Sequence, residues 1–113
     1  MESPRILVLC RHLLFAQALQ TLLSGEEEFE VVGVETEEPR AMETIRLLKP
    51  QIVVVETGEE GVLPGSILPY LLRESPGSMM IGLSLTENEI SVYHGRQRRV
   101  RKAEDLLEVI RGL

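Results

Sequence analysis

Two short apolar runs of this chain end on residues that could carry chemistry. Residues 6–9 lead into Cys10 and Arg11, and residues 52–55 lead into Glu56. Runs this short, rich in Val and Ile and free of polar side chains, are typical of strands buried on both faces of a parallel sheet. Because ligands of open α/β sheets bind beyond the carboxyl ends of the strands, we expect any functional site to include Cys10, Arg11 and Glu56.

The Cys10 thiol has two interpretations. A thiol between a strand end and a helix N-terminus can have a lowered pKa and act as a nucleophile, which would make the protein an enzyme. The chain has no second cysteine, and the residues that follow lack the Gly-rich loop and later arginine of a phosphatase cradle. We therefore favour a thiol that packs in the core.

Composition and motifs exclude several other classes of protein. The 113 residues predict one domain, 1–113, with an aliphatic core, because the chain has no Trp, two Phe and two Tyr. The net charge of −6 disfavours general nucleic-acid binding. A single cysteine, with no signal peptide or apolar span, predicts a cytoplasmic protein. His12 and His94 have no ligand-spaced neighbours, and the glycines after Glu56 form no phosphate-binding motif, so we expect no metal, cofactor or small-molecule substrate.

Strands and helices alternate along the first three quarters of the chain. Apolar periodicity and turn residues predict strands at 5–10, 29–34, 51–56 and 79–84, and helices at 12–23, 39–48 and 66–73. Such alternation implies right-handed βαβ crossovers and a doubly wound parallel sheet. The predicted fold class is therefore α/β.

The alternation stops after the fourth strand. The eighteen residues 85–102 separate it from a last helix at 103–111, too few for a helix, a further strand and their loops. Residues 90–102 instead alternate at period two around His94-Gly95, which indicates a β-hairpin in place of the fourth helix. An irregular loop is the alternative.

The hairpin pattern also predicts a register. A three-residue loop at 94–96 would place Ile90 opposite Val100 and Glu89 opposite Arg101, so that an acid faces a base.

The second half of this hairpin is strongly basic. Five of the seven residues from 96 to 102 are positively charged: Arg96, Arg98, Arg99, Arg101 and Lys102. The simplest interpretation is a solvated edge strand whose charges discourage aggregation. The functional one is a surface at 88–102 that docks an acidic protein or a second copy as a homodimer, with Tyr93 and the four arginines in contact. Nucleic-acid binding is the least favoured, given the total charge.

Several segments resemble the CheY-like receiver domain of bacterial response regulators, and more narrowly receivers that precede a helix-turn-helix effector. They are RILVLCRHLLF (5–15), EVVG (30–33), KPQIVVVE (49–56) and IGLS (81–84). The likeness runs from residue 5 to about residue 85 without a gap and resumes at 103–113. It implies a flavodoxin-like sheet of strand order 2-1-3-4-5, here with the fourth helix replaced by the hairpin, and a role in two-component or transcriptional regulation.

The resemblance also implies a phosphoacceptor pocket, from which this chain departs. Family members have two adjacent acids that hold Mg²⁺, an Asp that accepts phosphate, a Thr or Ser, and a Lys, each after a successive strand. The corresponding residues here are Cys10 and Arg11, then Glu56, then Ser84, with Lys102 or its neighbour Arg101 nearest to the lysine. Only Ser84 keeps the family's side-chain chemistry.

These replacements bear on phosphoryl transfer. Mg²⁺ prefers hard oxygen ligands, which a thiol and a guanidinium do not supply. Without the metal, the charge on the transferred group is not neutralised, and Glu56 is one methylene longer than the family's Asp. We therefore expect a non-catalytic pseudo-receiver that acts independently of phosphorylation. An atypical receiver competent in phosphotransfer, and a module that binds partners or nucleic acid through the basic hairpin, are the alternatives.

The vestigial pocket suggests a constructive hypothesis. If Arg11 and Glu56 lie on adjacent strand ends, the guanidinium could replace the cation and pair with the carboxylate, with Ser84 bonded to the same oxygens. The alternative is that both side chains face solvent, where ion pairs contribute little. The chain stops at Leu113, so we expect either a free-standing domain or a DNA-binding effector outside this chain.

Overall fold

The described residues form six strands and four helices, which alternate as far as the fourth strand. The structure is a computed structural model that describes residues 3–57, 67–84, 86–94 and 97–112, without the side chains of residues 94 and 97–100. The elements are β1 (Arg5–Leu9), α1 (Leu13–Ser24), β2 (Glu30–Glu35), α2 (Glu38–Leu48), β3 (Ile52–Glu56), α3 (Ile67–Glu74), β4 (Met79–Ser84), β5 (Glu89–His94), β6 (Gln97–Lys102) and α4 (Leu106–Arg111), with a short 3-10 helix (Ala103–Asp105) before α4.

The strands form one sheet in the order β2-β1-β3-β4-β5-β6. The first four are parallel to one another, whereas β5 runs antiparallel to β4 and β6 antiparallel to β5. The α/β class and the order 2-1-3-4-5 are confirmed. The sheet is mixed, however, and an antiparallel strand holds the fifth position. Four residues, 85–88, connect β4 to β5, and a parallel neighbour would need a crossover of about a dozen residues.

Two apolar clusters cover the two faces of the sheet. Ile6 and Val8 of β1 contribute to the cluster under α1 and α4, and Leu7 and Leu9 contribute to the cluster under α2 and α3. Successive strand residues point to opposite faces, so β1 is buried on both sides, as its unbroken apolar run predicts. Among the described residues, no helix is long and apolar enough to cross a membrane.

Local signals in the sequence set the limits of α2. Pro39 lies in its first turn, where a missing N–H costs no hydrogen bond. Lys49 follows the last turn in the left-handed conformation, with φ of 45°, and its N–H donates to the Ile45 carbonyl. Pro50 comes next and disfavours a helical residue before it. The predicted helix at 39–48 therefore agrees with the observed one to within one residue.

The predicted hairpin is present, but its register differs by one residue. Glu89 lies opposite Lys102 and Ile90 lies opposite Arg101, with two residues rather than three between the strands. Two-residue connections are the most common in hairpins because their backbone twist matches that of the flanking strands. The predicted pairings of Ile90 with Val100 and of Glu89 with Arg101 are therefore wrong.

Candidate functional site

The site lies at the carboxyl edge of the sheet, where β1 and β3 end side by side. The two strands are parallel, with Leu9 opposite Val55. Cys10 and Glu56 follow directly, so the register carries their side chains to the same edge, where the sequence predicts a site. The Cys10 N–H also donates to the Glu35 carbonyl of β2 at 3.0 Å, which fixes this strand end between its two neighbours.

Three neighbouring residues donate hydrogen bonds to the Glu56 carboxylate. His12 Nδ1 lies 2.8 Å from Oε2 and 3.0 Å from Oε1. The Arg11 backbone N–H donates to Oε1 at 3.1 Å, and the Cys10 Sγ lies 3.3 Å from the same oxygen. Burial opposes ionisation of Glu56, but these bonds together hold its pKa below the usual value. The carboxylate is therefore ionised at neutral pH, with both oxygens already engaged.

The Cys10 thiol is part of the core. Its residue is 1% exposed and belongs to the cluster under α1 and α4, which confirms the core-packing interpretation. Burial, with a smaller contribution from the Glu56 charge, raises the pKa of the Cys10 thiol to about 12. At neutral pH the thiol therefore stays protonated and donates a hydrogen bond to Glu56. A nucleophilic thiol would instead have to lose this proton.

The predicted ion pair between Arg11 and Glu56 is not formed. Arg11 is exposed and reaches Glu56 only through its backbone N–H. His12 takes the expected place of the guanidinium, because its backbone is extended at the N-cap position of α1 and its side chain makes no cap bond. Arg11 and Glu56 nevertheless line the same cavity of about 50 Å³, together with Leu9, Thr36 and Glu38. The sequence predicted His12 as a capping or turn residue. Its backbone does lie at the N-cap, but the contact of its side chain with Glu56 was not predicted.

Neither Ser84 nor Lys102 has a described contact with Glu56. The Ser84 hydroxyl accepts a hydrogen bond from the Glu87 N–H at 3.2 Å, and among the described contacts of Glu56 none involves Ser84. Lys102 is exposed at the end of β6, two strand positions from β4, or about 10 Å. Glu89 lies opposite Ser84 on the adjacent strand, so an acid stands near the place where the resemblance implies a lysine.

Thr57, which none of the sequence motifs includes, also belongs to this edge. Its N–H donates to the Leu83 carbonyl at 2.9 Å and links β3 to β4 beyond the last strand pair. Its buried hydroxyl has no hydrogen-bond partner within the described part of the chain. A threonine directly after a predicted strand end was the available signal.

The predicted partner-binding residues divide into core and surface. Tyr93 lies opposite Met80 and packs on the cluster under α2 and α3. Arg101 is exposed on β6, whereas Arg96 and the side chains of Arg98 and Arg99 lie outside the described residues. Because β6 is the last strand of the described sheet, the basic run lies on an edge strand, as predicted.

The residues at this edge do not fit Mg²⁺. Where the resemblance implies two carboxylates, the structure has a buried, protonated thiol and an exposed guanidinium. Both oxygens of the remaining acid, Glu56, already accept hydrogen bonds. Within the described ranges, no three side chains of His, Cys, Asp or Glu are grouped as a metal site would require.

Comparison with known proteins defines the fold. No family model and no curated protein matches this chain. Solved structures do match. The response regulator domain of CheB from Thermotoga maritima aligns with a TM-score of 0.63 and 18% identity over 74% of this chain and 61% of its own. A LuxR-family two-component response regulator from Aurantimonas sp. SI85-9A1 aligns with a TM-score of 0.64 and 15% identity, over 74% of this chain and 60% of its own.

A third match, RcsB in a complex with DNA, has a TM-score of 0.65 and 16% identity over 77% of this chain and 45% of its own. The matched part is thus less than two thirds of each of these three chains. The class that the topology defines is a doubly wound α/β domain with its site at the carboxyl edge. Within that class the fold is the one seen in response-regulator receiver domains, which confirms the resemblance at the level of fold.

Proposed function

We propose that this protein is a non-catalytic, receiver-like module of cytoplasmic two-component or transcriptional regulation, which acts without being phosphorylated. The observation that carries the proposal is the state of Glu56. Its carboxylate stands where the resemblance places a phosphoacceptor, and it accepts hydrogen bonds from His12, Cys10 and the Arg11 backbone.

This arrangement opposes phosphoryl transfer in two ways. A carboxylate that attacks phosphorus needs an oxygen with available electron density, and hydrogen bonds to both oxygens of Glu56 withdraw it. The transferred group also needs a cation that neutralises its developing charge. Cys10 offers a protonated sulfur, and the exposed Arg11 supplies charge without a metal ligand. Neither replaces a magnesium ion held between carboxylates.

The same hydrogen bonds favour a single conformation of the pocket. They join the segment between β1 and α1 to the end of β3, two places separated by 44 residues in the sequence. A switch that responds to phosphate requires this edge to exist in two arrangements. Here hydrogen-bond donors of the chain itself bind the Glu56 carboxylate in the absence of phosphate. The module therefore signals by presenting a constant surface to its partner.

Incubation with acetyl phosphate and Mg²⁺, followed by intact-mass measurement, tests the proposal. We expect no added phosphoryl group under conditions that label a phosphorylatable receiver domain run in parallel. A phosphoryl adduct that disappears in Glu56→Gln would overturn the proposal and support an atypical, phosphotransfer-competent receiver. An adduct that persists in Glu56→Gln would equally contradict it, by placing the acceptor elsewhere.

Any link to DNA is proposed to be indirect. One structure of similar fold is a complex of RcsB with DNA, but the present chain has a net charge of −6 and few aromatic residues. We propose that a separate DNA-binding effector, outside this chain, makes the phosphate contacts. A mobility-shift series at rising salt should show no shift by this chain alone, and a strongly salt-dependent shift would contradict the proposal.

A further inference from the structure

The two outer strands of the sheet carry opposite charges. Residues 26–38, which include β2, contain seven Glu and no Lys or Arg. Residues 96–102, which include β6, contain five Arg or Lys and no acid. Because β2 and β6 are the first and last strands of the sheet, the domain is polarised along the sheet from one edge to the other. We call β2 the acidic edge and β6 the basic edge.

Side chains on both edges are available to a partner. Glu30, Arg101 and Lys102 are exposed, and Glu35 is half-buried. Among the described residues, none of these four forms an ion pair within the chain. Glu26 and Glu28, by contrast, pair with Arg111 at 3.1 Å and therefore contribute less to the field of the acidic edge.

The backbone geometry of the two edges is also compatible. Both strands have six residues, and no described strand pairs with the outer side of either one. The two antiparallel pairings of the hairpin restore the direction of β6, which therefore runs parallel to β4 and to β2. A second copy placed in the same orientation would bring its β2 alongside β6 as one further parallel strand.

Charge distinguishes the three pairings that two copies can form. Joining β6 to β6 opposes arginines and lysines, and joining β2 to β2 opposes glutamates. Only β6 against β2 brings unlike charges together. We propose that the basic edge of one copy binds the acidic edge of the next, so that the sheet continues head to tail from copy to copy. Such a contact is heterologous, and repeating it gives an open series rather than a closed dimer.

Protection of the edges against aggregation does not account for this pattern. Charges of one sign on both edges would oppose all three pairings, as Lys-rich edges do in many sheet proteins. Opposite signs oppose two pairings and favour the third. An acidic strand of another protein would complement the charge of the basic edge, but it would not account for the charge of the acidic edge. The proposal involves neither Glu56 nor its donors, so it stands or fails independently of the function proposed above.

Sedimentation equilibrium of the full chain at two salt concentrations tests the contact. Between about 1 μM and 1 mM protein, in about 0.01 M salt, we expect the average mass to rise past that of a dimer. In about 1 M salt, where the Debye length falls from about 30 Å to about 3 Å, the mass should return toward that of a monomer. A chain that stays monomeric at low salt, or whose mass stops at two copies, would overturn the proposal.

Two edge variants test the geometry. The basic-edge variant is Arg101→Glu with Lys102→Glu, and the acidic-edge variant is Glu30→Lys with Glu35→Lys. Each keeps one native edge, so we expect association of either alone to weaken at least about tenfold. An equimolar mixture can form one native contact, between the basic edge of one variant and the acidic edge of the other. Its mass should therefore rise at least to that of two chains, whereas each variant alone stays lighter.

Controls separate the edge contact from a general effect of charge. Arg46→Glu and Glu43→Lys each reverse one charge of the corresponding sign on the exposed surface of α2 and should leave association unchanged. Circular dichroism establishes that every variant is folded. Self-association of the acidic-edge variant equal to wild type would show a symmetric contact between two copies of β6 and overturn the head-to-tail pairing. A mixture no heavier than its separate components would overturn it as well.

Discussion

His12 holds the carboxylate of Glu56 across the ends of two neighbouring strands, with Nδ1 2.8 Å from Oε2. The histidine side chain is 75% exposed, whereas the glutamate side chain is only 12% exposed. The histidine thus covers an acid that the sheet has largely removed from water. The histidine bonds to both carboxylate oxygens, and the described contact of Arg11 with Glu56 is through the backbone N–H.

Removing the His12 side chain should destabilise the protein more than removing that of Arg11. His12→Ala leaves a largely buried carboxylate without its main side-chain donor, and we expect a loss of about 1 kcal/mol in the free energy of unfolding, discounted for the exposure of the ring. Arg11→Ala keeps the backbone N–H bond and should change stability by less than about 0.5 kcal/mol. Urea unfolding at neutral pH measures both, and a larger loss in Arg11→Ala would restore the guanidinium hypothesis.

Stability should fall in acid partly because of Glu56. Its pKa is lower in the folded protein than its ordinary value of 4.5, so the unfolded chain binds the proton more tightly. The resulting stabilisation is fully present above about pH 5 and is lost as the pH falls from 4.5 through the folded-state pKa. Unfolding free energies between pH 6 and about pH 3 should decline less steeply in Glu56→Gln than in wild type. If the free energies of unfolding of wild type and Glu56→Gln declined in parallel, the hydrogen bonds to the carboxylate would contribute nothing to stability.

Cys10 should resist alkylation in the folded protein. Burial raises its pKa to about 12, so the thiolate fraction at pH 8 is very small and access to the sulfur is blocked. We expect iodoacetamide to modify Cys10 only when urea unfolds the chain. Ser24→Cys in a Cys10→Ala background supplies the comparison, because residue 24 is exposed. Alkylation of Cys10 in native protein as fast as at position 24 would support the alternative of a thiol enzyme.

The positions of the first four strands could be predicted because they depend on local patterns, whereas their order in the sheet was implied by the resemblance to receiver domains. The apolar run at Ile52–Glu56 admits few alternatives to a buried strand, and Pro39 and Pro50 mark the limits of α2. The sequence predicted the direction of the fifth strand less directly. The shortness of the connection after Ser84 indicated a hairpin, but whether that hairpin would join the sheet or cover it is a matter of long-range packing, which local periodicity does not encode.

The site was predictable in position and not in its contacts. Parallel register alone brings Cys10 near Glu56. Which of two consecutive basic residues turns toward the carboxylate depends on the backbone where β1 gives way to α1. There φ of −94° and ψ of 111° at His12 direct the imidazole to Glu56. A one-residue rotation would have favoured Arg11, and the sequence contains no signal that distinguishes the two.

The hairpin should prove to be an integral part of the core. Ile90 of β5 is fully buried under α1 and α4, so Ile90→Ala removes apolar contact and leaves a cavity. We expect a loss of about 2–5 kcal/mol in the free energy of unfolding. Glu89→Ala, on the adjacent exposed residue, is the matched control and should change stability by less than about 0.5 kcal/mol.

Because β5 occupies the position next to β4, the loss of β5 would uncover Leu83 and Ile81. Unfolding should therefore remain a single cooperative transition in both variants. A small loss in Ile90→Ala, or a separate early transition of the hairpin, would mean that β5 and β6 are an appendage to a four-stranded sheet.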